Sequence, residues 1–180
     1  MLQDIAAREY AHDLMLDEIL KRAWAAAPDK RRFFTEVLAP WLDAGTSGGW
    51  CVRQALEHFP VEEVGVDFLV DWVAAKPDPR AHNLADVLGQ PLGRPSDLHA
   101  ALLERFTEYG VGDVFFGGFI SGTWTGSASG WSKGRLAEAK KWLEDERPVI
   151  REWAKRAVAN LEQIVEHDLV RDAEEQIRRR

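Results

Sequence analysis

Acidic side chains of one predicted helix come closest to a catalytic arrangement in this sequence. Asp67 and Asp71 are four residues apart, so on a helix they share one face. Two neighbouring carboxylates can carry out acid–base catalysis or bind a divalent cation. They are interleaved with the apolar Phe68, Val70 and Trp72, and this pattern favours a solvated helix face over a site.

The five histidines do not form a recognisable metal-binding pattern. None lies four residues from another histidine or beside a pair of cysteines, which are the spacings typical of zinc sites; they are His12, His58, His82, His99 and His167. The pairs Glu57–His58 and Asp97–His99 could act as catalytic dyads, but polar residues on helix surfaces are the favoured interpretation. The sequence therefore predicts no catalytic residue, metal or cofactor.

Residues 110–134 contain the strongest candidate site. Eight of the chain's 14 glycines lie there, and glycine at this density disfavours a helix. A structureless loop longer than about 15 residues is uncommon in a compact domain and tends to be functional or mobile. Aromatic rings on a Gly/Ser frame supply contact area at low entropy cost. We therefore predict a loop that binds a partner through Phe115, Phe116, Phe119, Trp124 and Trp131. An ordered insertion whose rings plug one end of the fold is the alternative.

Phosphate groups are poor partners for this chain. Its net charge is −7, and residues 135–180 are neutral with 11 basic and 11 acidic residues, so the excess acid lies in residues 1–134. An acidic body repels a phosphate backbone. The glycine-rich segment lacks the Gly-Lys-Ser/Thr ending and the preceding strand of a phosphate-binding loop. The sequence predicts no nucleic-acid binding.

The sequence shows no feature typical of secreted or membrane proteins, and this indicates the cellular compartment. The first residues form no apolar stretch of the kind found in signal peptides, and no apolar run approaches the ~20 residues of a membrane span. The single cysteine, Cys51, cannot form an internal disulfide, which fits a reducing compartment. We expect a cytoplasmic protein that does not enter the membrane.

Tryptophan is unusually frequent, with eight residues in 180. A tryptophan marks either a core position or an interface anchor. Four of them fall on apolar helix stripes and are predicted to be core: Trp24, Trp41, Trp72 and Trp153. Trp142 lies one residue off its stripe, so it could be at a groove.

Helical periodicity dominates the remaining sequence. Apolar residues recur three and four positions apart, as on one helix face, and Asp29, Ser96 and Gly89 are placed to cap helix ends. The predicted helix pairs are 31–43 with 49–59, 61–75 with 79–89, and 135–145 with 148–165. Short links make sequential helices antiparallel neighbours. The sequence predicts a single all-α domain over 1–180, a short solenoid of stacked pairs, with a charged tail at 171–180.

Two of these helix starts resemble the second helix of a HEAT-like repeat. They are Asp78-Pro79-Arg80-Ala81-His82 with Ala85, and Arg147-Pro148-Val149-Ile150-Arg151 with Ala154 and Val158; Val52-Arg53 with Ala55-Leu56 is a weaker third. His82 stands where that family usually has arginine. The resemblance implies an α-solenoid, a fold whose extended concave surface binds other proteins.

The C-terminal half is similar to helical regions at the ends of large bacterial proteins, some of them associated with NTPase-linked defence systems. The shared feature is a loop like Ser121-Gly122-Thr123-Trp124-Thr125-Gly126 before the final helix pair. This resemblance implies a helper or sensor role rather than a particular chemistry.

Taken together, these features predict a non-catalytic protein-interaction or scaffold module with a protein partner. Two alternatives stay open. One is an enzyme on a HEAT-like scaffold, similar to the helical-repeat DNA glycosylases, although the acidic body disfavours the basic groove they use. The other is a structural end-cap of a larger assembly, which the polar final helix fits. The partner's identity and the oligomeric state are not indicated.

Overall fold

The computed structural model describes residues 13–44, 56, 59–89, 93–122 and 125–178. These residues are mostly helical and include no β-strand, which confirms the predicted all-α class. The chain divides into two compact units, residues 1–89 with 106–111 and residues 90–105 with 112–180. The single domain and the solenoid stacking stay predictions. In the described part of the chain, no helix combines the length and apolarity needed to cross a bilayer.

Unit 1 is built from short helices. They are α1 (Asp13–Ala26), α2 (Lys30–Phe33), a π-helical turn (Phe34–Leu38), α3 (Ala39–Ala44), a 3₁₀ turn (Val61–Val64), α4 (Val66–Ala74), α5 (Pro77–Leu88) and a second 3₁₀ turn (Thr107–Tyr109). Asp29 caps α2 as predicted, because its carboxylate accepts from the backbone N–H of Arg32 at 3.0 Å. Gly89 follows α5 with a φ of 71°, a conformation that glycine adopts readily.

The π-helical turn is explained by Pro40. A proline inside an α-helix has no N–H to donate, and its ring clashes with the carbonyl four residues earlier, here that of Glu36. The wider π turn accommodates the ring, and the N–H of Ala39 bonds to the carbonyl of Phe34, five residues back. The chain therefore continues from α2 into α3 without a break.

An ion pair links α3 to α5 in unit 1. The guanidinium of Arg80 donates to both carboxylate oxygens of Asp43, at 2.6 and 2.8 Å. It also lies over the ring of Trp72 at 4.4 Å, and the buried Asn83 side chain donates to the carbonyl of Leu42 at 2.6 Å. The pKa of Asp43 is lowered, mainly by the hydrogen bond from Arg80. These contacts hold unit 1 together and leave Trp72 half-buried.

Unit 2 contains the longer helices. They are α6 (Asp97–Phe106), whose last residue belongs to unit 1, α7 (Val111–Ile120), whose first residue does, α8 (Ala128–Trp142) and α9 (Pro148–Arg178). Lys140 pairs with Glu162 at 3.2 Å, and Asp172 binds the N-terminus of α8, so α8 and α9 run antiparallel. This hairpin contains the predicted pair 135–145 with 148–165. The predicted tail 171–180 is helical as far as Arg178.

The loop predicted for residues 110–134 is wrong over most of its length, because α7 and the first half of α8 lie there. Each helical glycine costs ~1 kcal/mol relative to alanine, whereas full burial of a phenylalanine contributes ~1.5–3 kcal/mol. Phe115 and Phe119 are both fully buried on one face of α7. Their burial outweighs the local preference of the glycines.

One of those glycines lies where α7 contacts α9. A Cβ atom at position 112 would lie 3.4 Å from Cδ1 of Trp153 and 3.6 Å from Cδ2 of Leu103, which is ordinary van der Waals contact. The close approach also lets the indole N–H of Trp153 donate to the carbonyl of Gly112 at 3.0 Å. A glycine that reads as a helix breaker in the sequence is therefore a contact point between α7 and α9.

Candidate functional site

An aromatic cluster forms the centre of unit 2. The rings of Trp142 and Trp153 stack with centroids 5.4 Å apart; Phe119 lies 4.7 Å from Trp142, and Phe115 lies 6.4 Å from Trp153. All four side chains are at most 3% exposed. The assignment of Phe115 and Phe119 to partner binding is therefore wrong, because rings enclosed in the core of unit 2 offer no surface to a partner.

The other predicted partner-binding residues have different outcomes. Phe116 and Trp131 are half-buried, so both keep some surface, and their role stays a prediction. The guanidinium of Arg135 covers one face of Trp131 at 5.6 Å from the ring centroid. Trp124 lies outside the described residues, as do Cys51 and the Glu57–His58 pair.

The core assignment of the other tryptophans is confirmed in part. Trp24 and Trp153 are each 3% exposed, whereas Trp41 and Trp72 are half-buried. Trp142 is buried as well. Its indole N–H donates to the carbonyl of Gly93 at 2.6 Å, and both residues line an open depression of about 530 Å³.

His99 is not the surface residue that the sequence indicates. It is 5% exposed and lies 4.7 Å from the ring of Phe115. Its Nδ1 is 2.7 Å from Oγ of Ser96, a hydroxyl–imidazole pair of the kind that can generate a nucleophile. Here the two residues cap α6, since each side chain also accepts the backbone N–H of the other at 3.3 Å. This is a capping box with histidine in the position usually held by Glu or Gln.

The paired carboxylates of α4 form no site in the structure. Asp67 and Asp71 are both exposed, as predicted for a solvated helix face. Among the residues that can be described, no three His, Cys, Asp or Glu side chains come together in a way that would hold a metal ion.

Charged groups at the α8–α9 turn are bound to one another. Asp145, whose side chain is 4% exposed, accepts two hydrogen bonds from the guanidinium of Arg147 at 2.8 and 2.9 Å. Arg147 also donates to Asp97 at 2.9 Å and to the carbonyl of Pro95 at 2.6 Å. The hydrogen bond from Arg147 is the main reason that the pKa of Asp145 falls to about 2.

The depression beside Trp142 lies among contacts that join residues 93–97 to α8 and to the α8–α9 turn, here called the clamp. Arg94 pairs with Glu146, and Glu138 accepts the backbone N–H of Gly93 at 3.1 Å. Most of the charged groups around the depression are thus used to fix residues 93–97 against the α8–α9 turn. We conclude that the depression stabilises unit 2 and is a weaker candidate for function than the surface of α9.

Residues spaced by four along α9 form a row whose exposure rises towards the C-terminus, here called the α9 ridge: Leu161, Val165, Leu169, Ala173 and Ile177. Leu161 is fully buried and Val165 half-buried, whereas Leu169 is 45% and Ile177 74% exposed. Val170, beside the ridge, is 57% exposed. A step of four residues turns a helix by about 40° beyond a full turn. The ridge therefore rotates away from α8 and carries apolar side chains into solvent.

Asp172 of α9 shows which end of the α8–α9 hairpin carries the exposed end of the ridge. Asp172 accepts the backbone N–H groups of Ala128 and Ser129 at 3.2 and 3.0 Å, at the N-terminus of α8. The hydrogen bond from the Ser129 side chain is the main cause of a lowered pKa for Asp172. The end of the ridge is thus at the same end of the hairpin as Trp131.

Sequence reasoning missed the exposed end of the ridge, although a signal was present. A row of apolar residues spaced by four runs from Leu161 to Ile177, although Ile164 and Val170 lie beside it at steps of three. A row spaced by four rotates around a helix as it advances. Charged residues surround this apolar row, so the sequence of residues 171–180 resembles a polar tail.

Comparison of the chain with protein-family models, with curated proteins and with solved structures finds no match in any of the three.

Proposed function

We propose that this protein is a non-catalytic interaction module that binds a protein partner through the exposed end of the α9 ridge. Four large apolar side chains of the described residues are at least 36% exposed, and three of them lie within residues 169–177. This concentration is the observation that carries the proposal, because clustered apolar exposure marks an interaction surface whereas scattered exposure does not.

The position of the cluster supports a binding role over a folding role. The hydrophobic side chains of α9 that are fully buried end at Leu161, and the helix continues for 17 further residues to Arg178. Helical structure over so polar a stretch is stabilised by local ion pairs, such as Arg171 with Glu175 at 3.4 Å. The exposed end of the ridge adds little to the core. Half-buried Trp131, at the same end of the hairpin, is a candidate for the edge of this surface.

Affinity capture with a matched variant tests the proposal. The full chain is immobilised and incubated with a lysate of its source organism, beside Leu169→Gln/Ile177→Gln and the control Glu104→Gln. Glutamine has nearly the helix propensity of leucine, so the double change removes apolar contact while the helix is kept. We expect the double variant to lose a partner that wild type and control retain.

Retention of the same partners by the double variant would contradict the proposal. Circular dichroism of each protein, recorded before capture, shows that a lost partner reflects the surface and not unfolding.

A further inference from the structure

We propose that the exposed end of the α9 ridge docks an amphipathic helix of a partner protein whose apolar stripe is bordered by Lys or Arg. The inference rests on the proposed function and adds the chemistry of the partner.

The shape of the surface suits a helix. Rows of residues spaced by four pack into the grooves of a second helix, which is the commonest mode of helix packing. The exposed end of the ridge places the small Ala173 between Leu169 and Ile177. A large apolar side chain of the partner can enter the notch above Ala173 and contact both flanking side chains.

The charges beside the ridge specify a basic partner. The neighbouring row, also spaced by four, consists of Glu162, Glu166, Val170, Glu174 and Arg178. Glu162 is paired with Lys140 at 3.2 Å. Glu166 and Glu174 are exposed, and no other described residue forms an ion pair with either. Glu166 and Glu174, which form no ion pair within the described part of the chain, therefore border the apolar surface on both sides of Val170.

The same charges disfavour a second copy of this chain that packs in parallel. In a parallel copy paired about Ala173, identical carboxylates border the identical ridge, so like charges meet across the contact, whereas an antiparallel copy would place Arg178 opposite Asp168. Like-charge juxtaposition weakens an interface and favours a partner of opposite charge. The net charge of −7 for the whole chain acts in the same direction.

The test uses two synthetic amphipathic helical peptides that share one leucine stripe and differ only in bordering residues, lysine in one and glutamate in the other. Fluorescence anisotropy follows each labelled peptide binding to the full chain at low salt. We expect the lysine peptide to bind about tenfold more tightly than the glutamate peptide, since electrostatic complementarity governs partner choice. The variant Glu166→Gln/Glu174→Gln should weaken the lysine peptide about fivefold, the combined scale of two exposed ion pairs.

The control variant Asp67→Asn/Asp71→Asn removes the same two charges from α4 and should leave both affinities unchanged. Equal weakening by the control would show a general charge effect and overturn the inference. So would equal binding of the two peptides, or no binding of the lysine peptide. A wild-type dimer that Leu169→Gln/Ile177→Gln abolishes would overturn it in favour of a second copy. In each case the capture experiment still decides the proposed function independently.

Discussion

The two halves of α9 contrast in how they use their apolar residues. From Pro148 to Leu161 five apolar side chains are enclosed, each at most 3% exposed: Ile150, Trp153, Ala154, Ala157 and Leu161. From 162 to Arg178 the same continuous helix exposes Leu169, Val170 and Ile177. Helical geometry is shared by both halves, so the difference lies in the spacing of the side chains.

Spacing decides which half folds and which half is free to bind. In the first half, steps of three and four alternate, which keeps the apolar stripe on one face towards α7 and α8. In the second half, the ridge advances by four at every step and turns away from α8. The ridge thus carries apolar residues from the core-facing side of the helix to an exposed side without ending the helix. The predictions below test this division.

The largest expected effect is at Trp153 in the first half. Truncation of Trp153 to alanine should lower the free energy of unfolding by ~3–5 kcal/mol, because it empties a packed aromatic core and leaves the carbonyl of Gly112 without its indole donor. Denaturant unfolding measures the change. Trp153→Phe keeps ring contacts and loses the hydrogen bond, so its cost should be smaller. A loss below ~1 kcal/mol for Trp153→Ala would show that the first half is not the core of unit 2.

The next effect concerns pH at the turn that begins α9. The pKa of Asp145 is lowered from 3.8 to about 2, mainly by the hydrogen bond from Arg147. A carboxyl whose pKa is lower in the folded state stabilises the fold above the unfolded pKa, and this stabilisation is lost as the pH falls through the folded pKa. At about 1.4 kcal/mol per pKa unit, wild type should lose about 2 kcal/mol between pH 4 and pH 2 through this group.

Asp145→Asn isolates that contribution from other carboxyl groups. The variant should be less stable than wild type at pH 6, and the difference should shrink towards pH 2. A difference independent of pH would show that the clamp does not depend on the charge of Asp145.

A smaller effect is expected where the second half of α9 meets α8. Asp172→Ala removes the acceptor for the backbone N–H groups of Ala128 and Ser129. Amide hydrogen exchange at the first turn of α8 should become faster, while the aromatic core of unit 2 stays protected. Glu174→Ala, on the same helix and away from α8, should leave this exchange unchanged. Uniformly faster exchange across α8 would instead show that Asp172 stabilises the whole fold.

The all-α class, the caps at Asp29 and Gly89 and the α8–α9 pair could be predicted because their signals are local. Periodicity and capping residues depend on neighbours within a few positions. The apolar stripe in the first half of α9 could be predicted for the same reason.

The aromatic core of unit 2 could not be predicted, because its critical contacts join residues far apart in the sequence. The exposed end of the ridge did have a local signal, but the charged residues around it make residues 171–180 resemble a polar tail. Gly112 lies in a helix that packs against Trp153, 41 residues later, and counting glycines could not reveal this contact. Ser96 caps α6 as predicted, whereas the burial of His99 against Phe115 was not indicated by its polar neighbours. Phe115 and Phe119 were placed on a surface for the same reason.

The most direct test of the division within α9 is the equilibrium unfolding of Leu169→Gln/Ile177→Gln beside wild type. If the exposed end of the ridge serves binding and contributes little to folding, the free energy of unfolding should stay within ~0.5 kcal/mol of wild type, as for other exposed substitutions. A loss approaching the ~3 kcal/mol expected for a core truncation would contradict the account, because Leu169 and Ile177 would then belong to the core and would offer no surface to a partner.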